Sequence, residues 1–345
     1  MEDIPGLRGN LAEAEMGQSP DDEARAGLNG RKYALSSHQP CILVVGSFVM
    51  DLVVRTPRLP KEGETVVGTE FGRAPGGKGA NQAVAAARLG AKATMVGRVG
   101  NDLFGKDQLE SLNASGVDTR YVVMDDEAPT GVGSITLDSS GNNRIIVVPG
   151  ANMRVSPQDV ENARPAFEEA DVVVLQLEIP DEANERAMSI AKALGKPVIL
   201  NPAPAHPLDD SMLRMATVVT PNETETEILT GMPASTPEDA EKAARALRAR
   251  GVETVIVTMG GKGALLVREN ETRMVPAWRV NVVDTTAAGD AFNGALAVAL
   301  ARGNDWAEAL AFANAVAALS VTRFGAQPSM PTKEEVEAFL SRQSA

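Results

Sequence analysis

The chain has 345 residues, 43% of them hydrophobic and 23% charged, a globular composition with ample material for a large core and not that of a disordered chain. Its formal net charge of −13 repels phosphate backbones and anionic lipid surfaces, so neither nucleic acid nor membrane is an expected partner. A single cysteine, Cys41, excludes an intramolecular disulfide, and with only His38 and His206 as histidines, acid–base chemistry falls to carboxylates rather than to a zinc site or a His-based triad.

Residues 1 to 38 are small and polar, with acids such as Glu13, Glu15, Asp21 and Asp22 and no sustained apolar period, which predicts a flexible N-terminal extension. No signal-peptide core opens the chain, and no apolar run reaches the roughly 18 residues of a membrane span, so a cytoplasmic location is expected. From "CILVVGSF" onward, buried-strand runs alternate with amphipathic helical stretches: "KATMVGRVG", "DVVVLQLE", "KPVILNPA", "ATVVTPN" and "ETVIVTMG". That alternation predicts an α/β fold, a largely parallel central sheet with helices on both faces. Two strand-like stretches interrupt it, about 63–75 ("ETVVGTEFGRA") and 130–149 ("TGVGSITLDSSGNNRIIVVPG"), the second with a hairpin turn signal. They suggest a small β lid or an oligomer surface.

Asp51 is expected just beyond the first strand, where ligands of open α/β sheets gather; it can accept sugar hydroxyls or merely cap a loop. In "GRAPGGKGANQA", Gly72 to Lys78 fits the P-loop spacing, but Gly79 replaces the Ser or Thr that would hold magnesium, so a P-loop is rejected. Gly76, Gly77 and Gly79 can instead bring backbone close to a small polar ligand, with Asn81 supplying an amide, or simply form a helix entry. Glu178 closes a buried strand and has the same two readings as Asp51. "TPNETE" places Asn222 and Glu225 on one helix face, suited to water and magnesium around phosphates or to capping. The glycine-rich "TMGGKGALLV" suits a nucleotide lying against backbone or a plain hairpin. In "DTTAAGDAFNGAL", a strand ending near Val283 feeds a helix starting near Ala288. Its free amides favour an anion, and Asp290 in the first turn is either a catalytic acid–base group or a helix-stabilising acid.

Taken together, "GGKGANQA", "NPAPA", "TPNETE" and "DTTAAGDAFNGAL", in that order, make the chain from about Cys41 to Arg342 resemble the ribokinase branch of the PfkB carbohydrate kinase family. The resemblance implies one kinase domain over 39–345 and transfer of the ATP γ-phosphoryl group to the 5-hydroxyl of ribose, with 2-deoxyribose or another sugar as the alternative. It makes Asp290 the base and the amides of Ala287, Ala288, Gly289 and Asp290 the anion hole. Asp51, Gly76, Gly77, Lys78, Asn81 and Glu178 then match sugar-side positions, and Asn222, Thr258, Gly260, Gly261, Gly263, Gly289 and Asn314 nucleotide-side positions. Magnesium would be held through water by Glu225, and a potassium ion by Asp284, Thr286, Ser320, Arg323, Gly325 and Ser329. A homodimer formed through the lid is also implied. One departure stands out: ribokinases of bacteria typically carry Asn two residues before the sugar-binding Asp, and this chain has Val49. Valine cannot pair the 2-hydroxyl, so discrimination against 2-deoxyribose is expected to be weak. A non-catalytic sugar-binding regulator is the contrasting possibility, and the missing dinucleotide fingerprint disfavours a nicotinamide oxidoreductase.

Overall fold

The structure, a computed structural model, describes residues 38–343 apart from residue 141; the expected extension over residues 1 to 38 therefore lies almost wholly outside the described residues. The strands in chain order are β1 (Cys41–Val45), β2 (Val49–Arg55), β3 (Glu70–Gly76), β4 (Lys92–Gly100), β5 (Asp118–Asp125), β6 (Gly131–Leu137), β7 (Asn143–Val148), β8 (Val172–Gln176), β9 (Val198–Asn201), β10 (Val218–Val219), β11 (Thr254–Thr258), β12 (Ala264–Val267) and β13 (Thr272–Val275). Among the described residues they form a nine-stranded sheet, ordered β13-β12-β11-β10-β9-β8-β1-β4-β5, and a four-stranded sheet, ordered β3-β2-β6-β7. Seven strands of the large sheet, β11 through β5, run parallel, while β12 and β13 are antiparallel additions at one edge.

Alternate residues of the central strands feed two separate layers. Leu43, Val45, Val173, Leu175, Val198 and Leu200 pack into a core with Phe167, Met188, Leu213 and Leu247 from one set of helices. Residues of the opposite parity, such as Val44, Val174 and Ile199, are equally buried on the other face, where the helices Lys78–Arg88 and Ala288–Ala301 cross the sheet. Burial on both sides explains why these strands read as unbroken apolar runs. The two helices come unusually close, because Gly294 faces Ala85: a Cβ added at Gly294 would lie 2.7 Å from that of Ala85 and 2.8 Å from the Gln82 carbonyl oxygen.

Two expectations need correction. The segment "VNVV", 280–283, is not a strand; the preceding strand ends at Val275, and Val282 and Val283 are exposed. No neighbouring strand offers itself there, and the Val283 amide donates instead to the carbonyl of Val321 after the Trp306–Ser320 helix. Asp51 likewise does not lie in a loop. It sits within β2, which follows β1 after three residues and starts the second sheet. Of the stretch 63–75 only Glu70 onward is extended and paired, whereas β6 and β7 form the expected hairpin. No helix of the described residues is long and apolar enough to cross a membrane.

Candidate active site

Asp290 enters the first turn of the Ala288–Ala301 helix through a left-handed residue. Ala287 has φ 60°, and it alone among the described non-glycine residues has a positive φ. Such strain in a non-glycine residue persists where the surroundings impose it, and it clusters at functional sites. The Ala288 amide turns back to the Thr285 carbonyl at 3.3 Å; the amides of Gly289 and Asp290 follow at the helix start, where N–H groups have no intrahelical acceptor. The Asp290 carboxylate is 6% exposed and accepts from Asn81 Nδ2 at 2.8 Å and Gln82 Nε2 at 3.0 Å. Burial pushes its pKa upward. The Lys78 ammonium, then the Asn81 and Gln82 donors, pull against that rise, and the Glu178 charge adds to it.

The groups expected on the sugar side converge on this carboxylate. Asn81 is 5% exposed, and its Oδ1 is buried with no partner, a spare acceptor beside Asp290. Asp51 lies between two glycines of neighbouring strands: a Cβ at Gly76 would be 2.8 Å from one carboxylate oxygen and one at Gly133 2.7 Å from the other. Its pKa is pushed up to about 6, by burial first and then by the Glu178 and Asp290 carboxylates. Glu178 Oε2 accepts from the Ser47 hydroxyl and, at 3.0 Å, from the Lys78 amide. Burial alone would lower the Lys78 ammonium, yet the Asp290, Glu178 and Glu225 carboxylates raise it above its ordinary value. Gly77, with φ 96°, and Gly79 serve a closer purpose than ligand approach, since a Cβ at either would strike the backbone of residues 46–49. They let the helix start lie against the end of β1.

The residues expected on the nucleotide side form a neighbouring group. Asn222 and Glu225 make a reciprocal capping box, each backbone N–H donating to the other's side chain at 2.8 Å, and Asn222 pairs through its backbone with Thr258. Capping therefore explains one oxygen of each side chain and leaves the second oxygen of Glu225 uncommitted by that box. Burial raises Glu225's pKa, against the pull of the Asn222 amide and Lys78. Gly260 and Gly263, with φ 52° and 110°, shape the turn between β11 and β12; space around Gly260 and Gly261 is open, whereas Gly263 abuts the Val275 carbonyl. Asn314 spends its amide nitrogen on the carbonyls of Val275 and Pro276, at 3.0 and 3.2 Å, fixing the chain that leaves β13.

Of the residues expected at a monovalent cation, the structure joins Asp284, Thr286 and Gly325 by hydrogen bonds, while the side chains of Ser320, Arg323 and Ser329 have other partners. Asp284 accepts from Thr286 (N–H 3.0 Å, O–H 2.7 Å) and from the Gly325 amide at 2.9 Å. Although burial opposes it, these donors and the Arg55 charge hold its carboxyl below the ordinary value. Ser320 and Ser329 are buried with hydroxyls donating to the Ala317 and Ala326 carbonyls, and the Arg323 side chain pairs with Glu335 at 2.6 Å. The two serine oxygens keep their lone pairs, whereas the Arg323 guanidinium has none to offer, so Arg323 could face an ion only through its backbone carbonyl. No group of three or more His, Cys, Asp or Glu able to hold a metal occurs among the described residues.

A model of the pfkB family carbohydrate kinases matches residues 39–333. The chain belongs to that family. Within it, the chain is 46% identical over 300 residues to the ribokinase of Bacillus subtilis, covering 87% of this chain and 99% of that protein. It is 42% identical over 301 residues to the deoxyribokinase of Salmonella typhi, covering 87% and 98%. A solved structure of Arabidopsis thaliana ribokinase complexed with ribose and ATP superposes with a TM-score of 0.83 at 40% identity, covering 88% of this chain and 99% of that one. Sequence reasoning passed over Gln82, Gln176, Asn201, Thr220 and Asn293, all buried around Asp290. The available signal was a polar residue inside an apolar run, as in "VVVLQ", "VILN" and "AFNGALAVALA".

Proposed function

We propose that the protein is an ATP-dependent ribokinase that phosphorylates the 5-hydroxyl of D-ribose. The observation that carries this reading is the buried Asp290 carboxylate at a helix start, facing Lys78 and within hydrogen bonds of Asn81 and Gln82. Asp290 takes the proton of the 5-hydroxyl as that oxygen attacks the γ-phosphorus; the bond from γ-phosphorus to the bridging oxygen breaks, and ADP leaves. The amides of Gly289 and Asp290, with the bare backbone at Ala287 and Ala288, face charge on the moving phosphoryl oxygens. Asp51, Asn81 Oδ1 and Glu178 accept sugar hydroxyls, orienting the acceptor. Thr258, Gly260, Gly261, Gly263 and Asn314 border the nucleotide. Asn222 and Glu225 are placed to order water around magnesium, which when bound neutralises phosphate charge. Asp284 and the carbonyls of Thr286, Ser320, Arg323, Gly325 and Ser329 suit potassium, whose charge would steady the loop leading to Asp290.

The sheet β3-β2-β6-β7 acts as a lid, because Asp51 belongs to it. Its outer strand exposes Ile145, Ile146, Val147 and Val148, which supports pairing of two copies through this surface. Two observations favour 2-deoxyribose as a second substrate: Val49 stands where a 2-hydroxyl partner is expected, and a deoxyribokinase is among the 42% identical relatives. A coupled ATP-consumption assay across ribose, 2-deoxyribose, fructose and adenosine, with and without potassium, tests the reading. Ribose should be turned over, and Asp290→Asn should abolish turnover while sparing sugar binding. Substantial turnover by that variant would overturn the assignment of the base.

A further inference from the structure

The hydrogen bonds behind Asp290 close into a ring. Gln82 Nε2 donates to Asp290 Oδ1 at 3.0 Å and to Asn201 Oδ1 at 3.1 Å. Asn201 Nδ2 donates to the Thr220 carbonyl at 3.2 Å, Thr220 Oγ1 to Asn293 Oδ1 at 2.7 Å, and Asn293 Nδ2 to the Gly289 carbonyl at 2.8 Å. Gly289 is bonded to Asp290, so the ring returns to its origin after touching β9, the segment following β10 and both crossing helices. A branch enters from β8, where Gln176 Nε2 donates to Gln82 Oε1 at 2.7 Å. Gln82 and Gln176 are fully buried.

This wiring fixes the sense of the Gln82 amide. Its oxygen is engaged by Gln176, and both hydrogens of its nitrogen meet acceptors; a flipped amide would set oxygen against a carboxylate and against Asn201 Oδ1. Gln176 itself is held at a penalty, with Oε1 unpartnered and wedged against Gly46, where a Cβ would lie only 2.0 Å away. Apolar residues would fill that space without leaving an acceptor dry.

We propose that Gln82 is a positioning residue for the phosphoryl transfer: locked by Gln176 and Asn201, its N–H fixes the direction of the Asp290 carboxylate toward the acceptor hydroxyl. The inference rests on Asp290 being the base. The charges facing Asp290 are Lys78 on the Lys78–Arg88 helix, Glu178 after β8, Asp51 on β2 and Glu225 on the Glu223–Thr230 helix. Against three like charges and burial, the Gln82 donor joins Lys78 and Asn81 in favouring the ionised form.

The test measures kcat and both KM values of the full chain from acid to alkaline pH for Gln82→Leu, Gln82→Glu and Gln176→Leu. For Gln82→Leu the acid limb of kcat should move up by about one pH unit. Turnover at neutral pH should fall roughly tenfold or more, with both KM values nearly unchanged. Gln176→Leu should move the limb the same way by less. The near-isosteric Gln82→Glu keeps the shape; its protonated carboxyl donates the same bond, and its ionised form repels Asp290. That variant should lose activity as pH rises, a limb absent from the unsubstituted protein. It remains decisive if the leucine variants fail to fold. An unmoved acid limb with activity lost equally at every pH, or an alkaline limb missing from Gln82→Glu, overturns the proposal. Asp290→Asn separates the two claims: if it retains turnover the base assignment fails, and if it abolishes turnover while the Gln82 variants behave as the unsubstituted protein, only the positioning role fails.

Discussion

Gly294→Ala would separate the two helices on which the site is built. The new methyl would lie 2.7 Å from Ala85 Cβ and 2.8 Å from the Gln82 carbonyl oxygen. Ordinary contacts begin near 3.5 Å, so the helices must part by roughly 1 Å. Overpacking of this kind costs about 1–3 kcal/mol. The same parting acts on Asn81 and Gln82, which reach across the crossing to Asp290 at 2.8 and 3.0 Å. Stretched by roughly 1 Å, neither contact remains a hydrogen bond. Misplacement on that scale can lower turnover about a hundredfold. Urea unfolding should therefore show a loss of about 1–3 kcal/mol, and a coupled ADP-release assay should show kcat reduced by roughly tenfold to a hundredfold with little change in ATP KM. If Gly294→Ala were as stable and as fast as the unsubstituted protein, the close crossing would not be what holds the carboxylate in place.

Further outcomes follow from three individual residues. Asp51, with its pKa near 6, must be ionised to accept two sugar hydroxyls, so the sugar KM should rise as pH falls through about 6; in Asp51→Asn binding should be weak at every pH, and persistence of the pH dependence would refute the assignment. Because the folded carboxyl binds its proton more tightly than the unfolded chain does, the sugar-free protein should gain thermal stability as pH falls from about 6 toward the ordinary value of 3.8, a gain that Asp51→Asn lacks. Ala287→Gly relieves a left-handed alanine worth about 1–2 kcal/mol, so it should raise the melting temperature and leave kcat nearly intact; a lower melting temperature would show that the methyl is needed for packing. Val49→Asn should favour ribose over 2-deoxyribose, since an unpaired buried hydroxyl costs about 1–3 kcal/mol; an unchanged ratio of kcat/KM for the two sugars would show that Val49 does not decide the preference.

The parallel sheet was legible because strands such as "KATMVGRVG" are buried on both faces and read as continuous apolar runs between helices. β2 was not, because "VMDLVVR" follows β1 after three residues and its alternation, half-buried and interrupted by an acid, resembles a loop entry. "VNVV" failed in the opposite sense: β-branched residues suit a strand, but without a neighbour to pair with they stayed extended loop. In the site, Asp290, Asn81 and Asp51 could be named from residue type and motif. Their mutual arrangement could not, since it depends on Gly294 meeting Ala85 and on glutamines contributed by a helix and a strand 94 positions apart. Long-range pairing leaves no periodic trace in the chain.

The floor under Asp51 is made of main chain. With Gly76 and Gly133 on either side, any larger residue at those two points would collide with the acid itself, so this end of the site offers almost nothing for evolution or an engineer to edit. Retuning toward other sugars would have to proceed from the wall, through Val49 and its neighbours, while the floor keeps one fixed element: a carboxylate clasped between two strands.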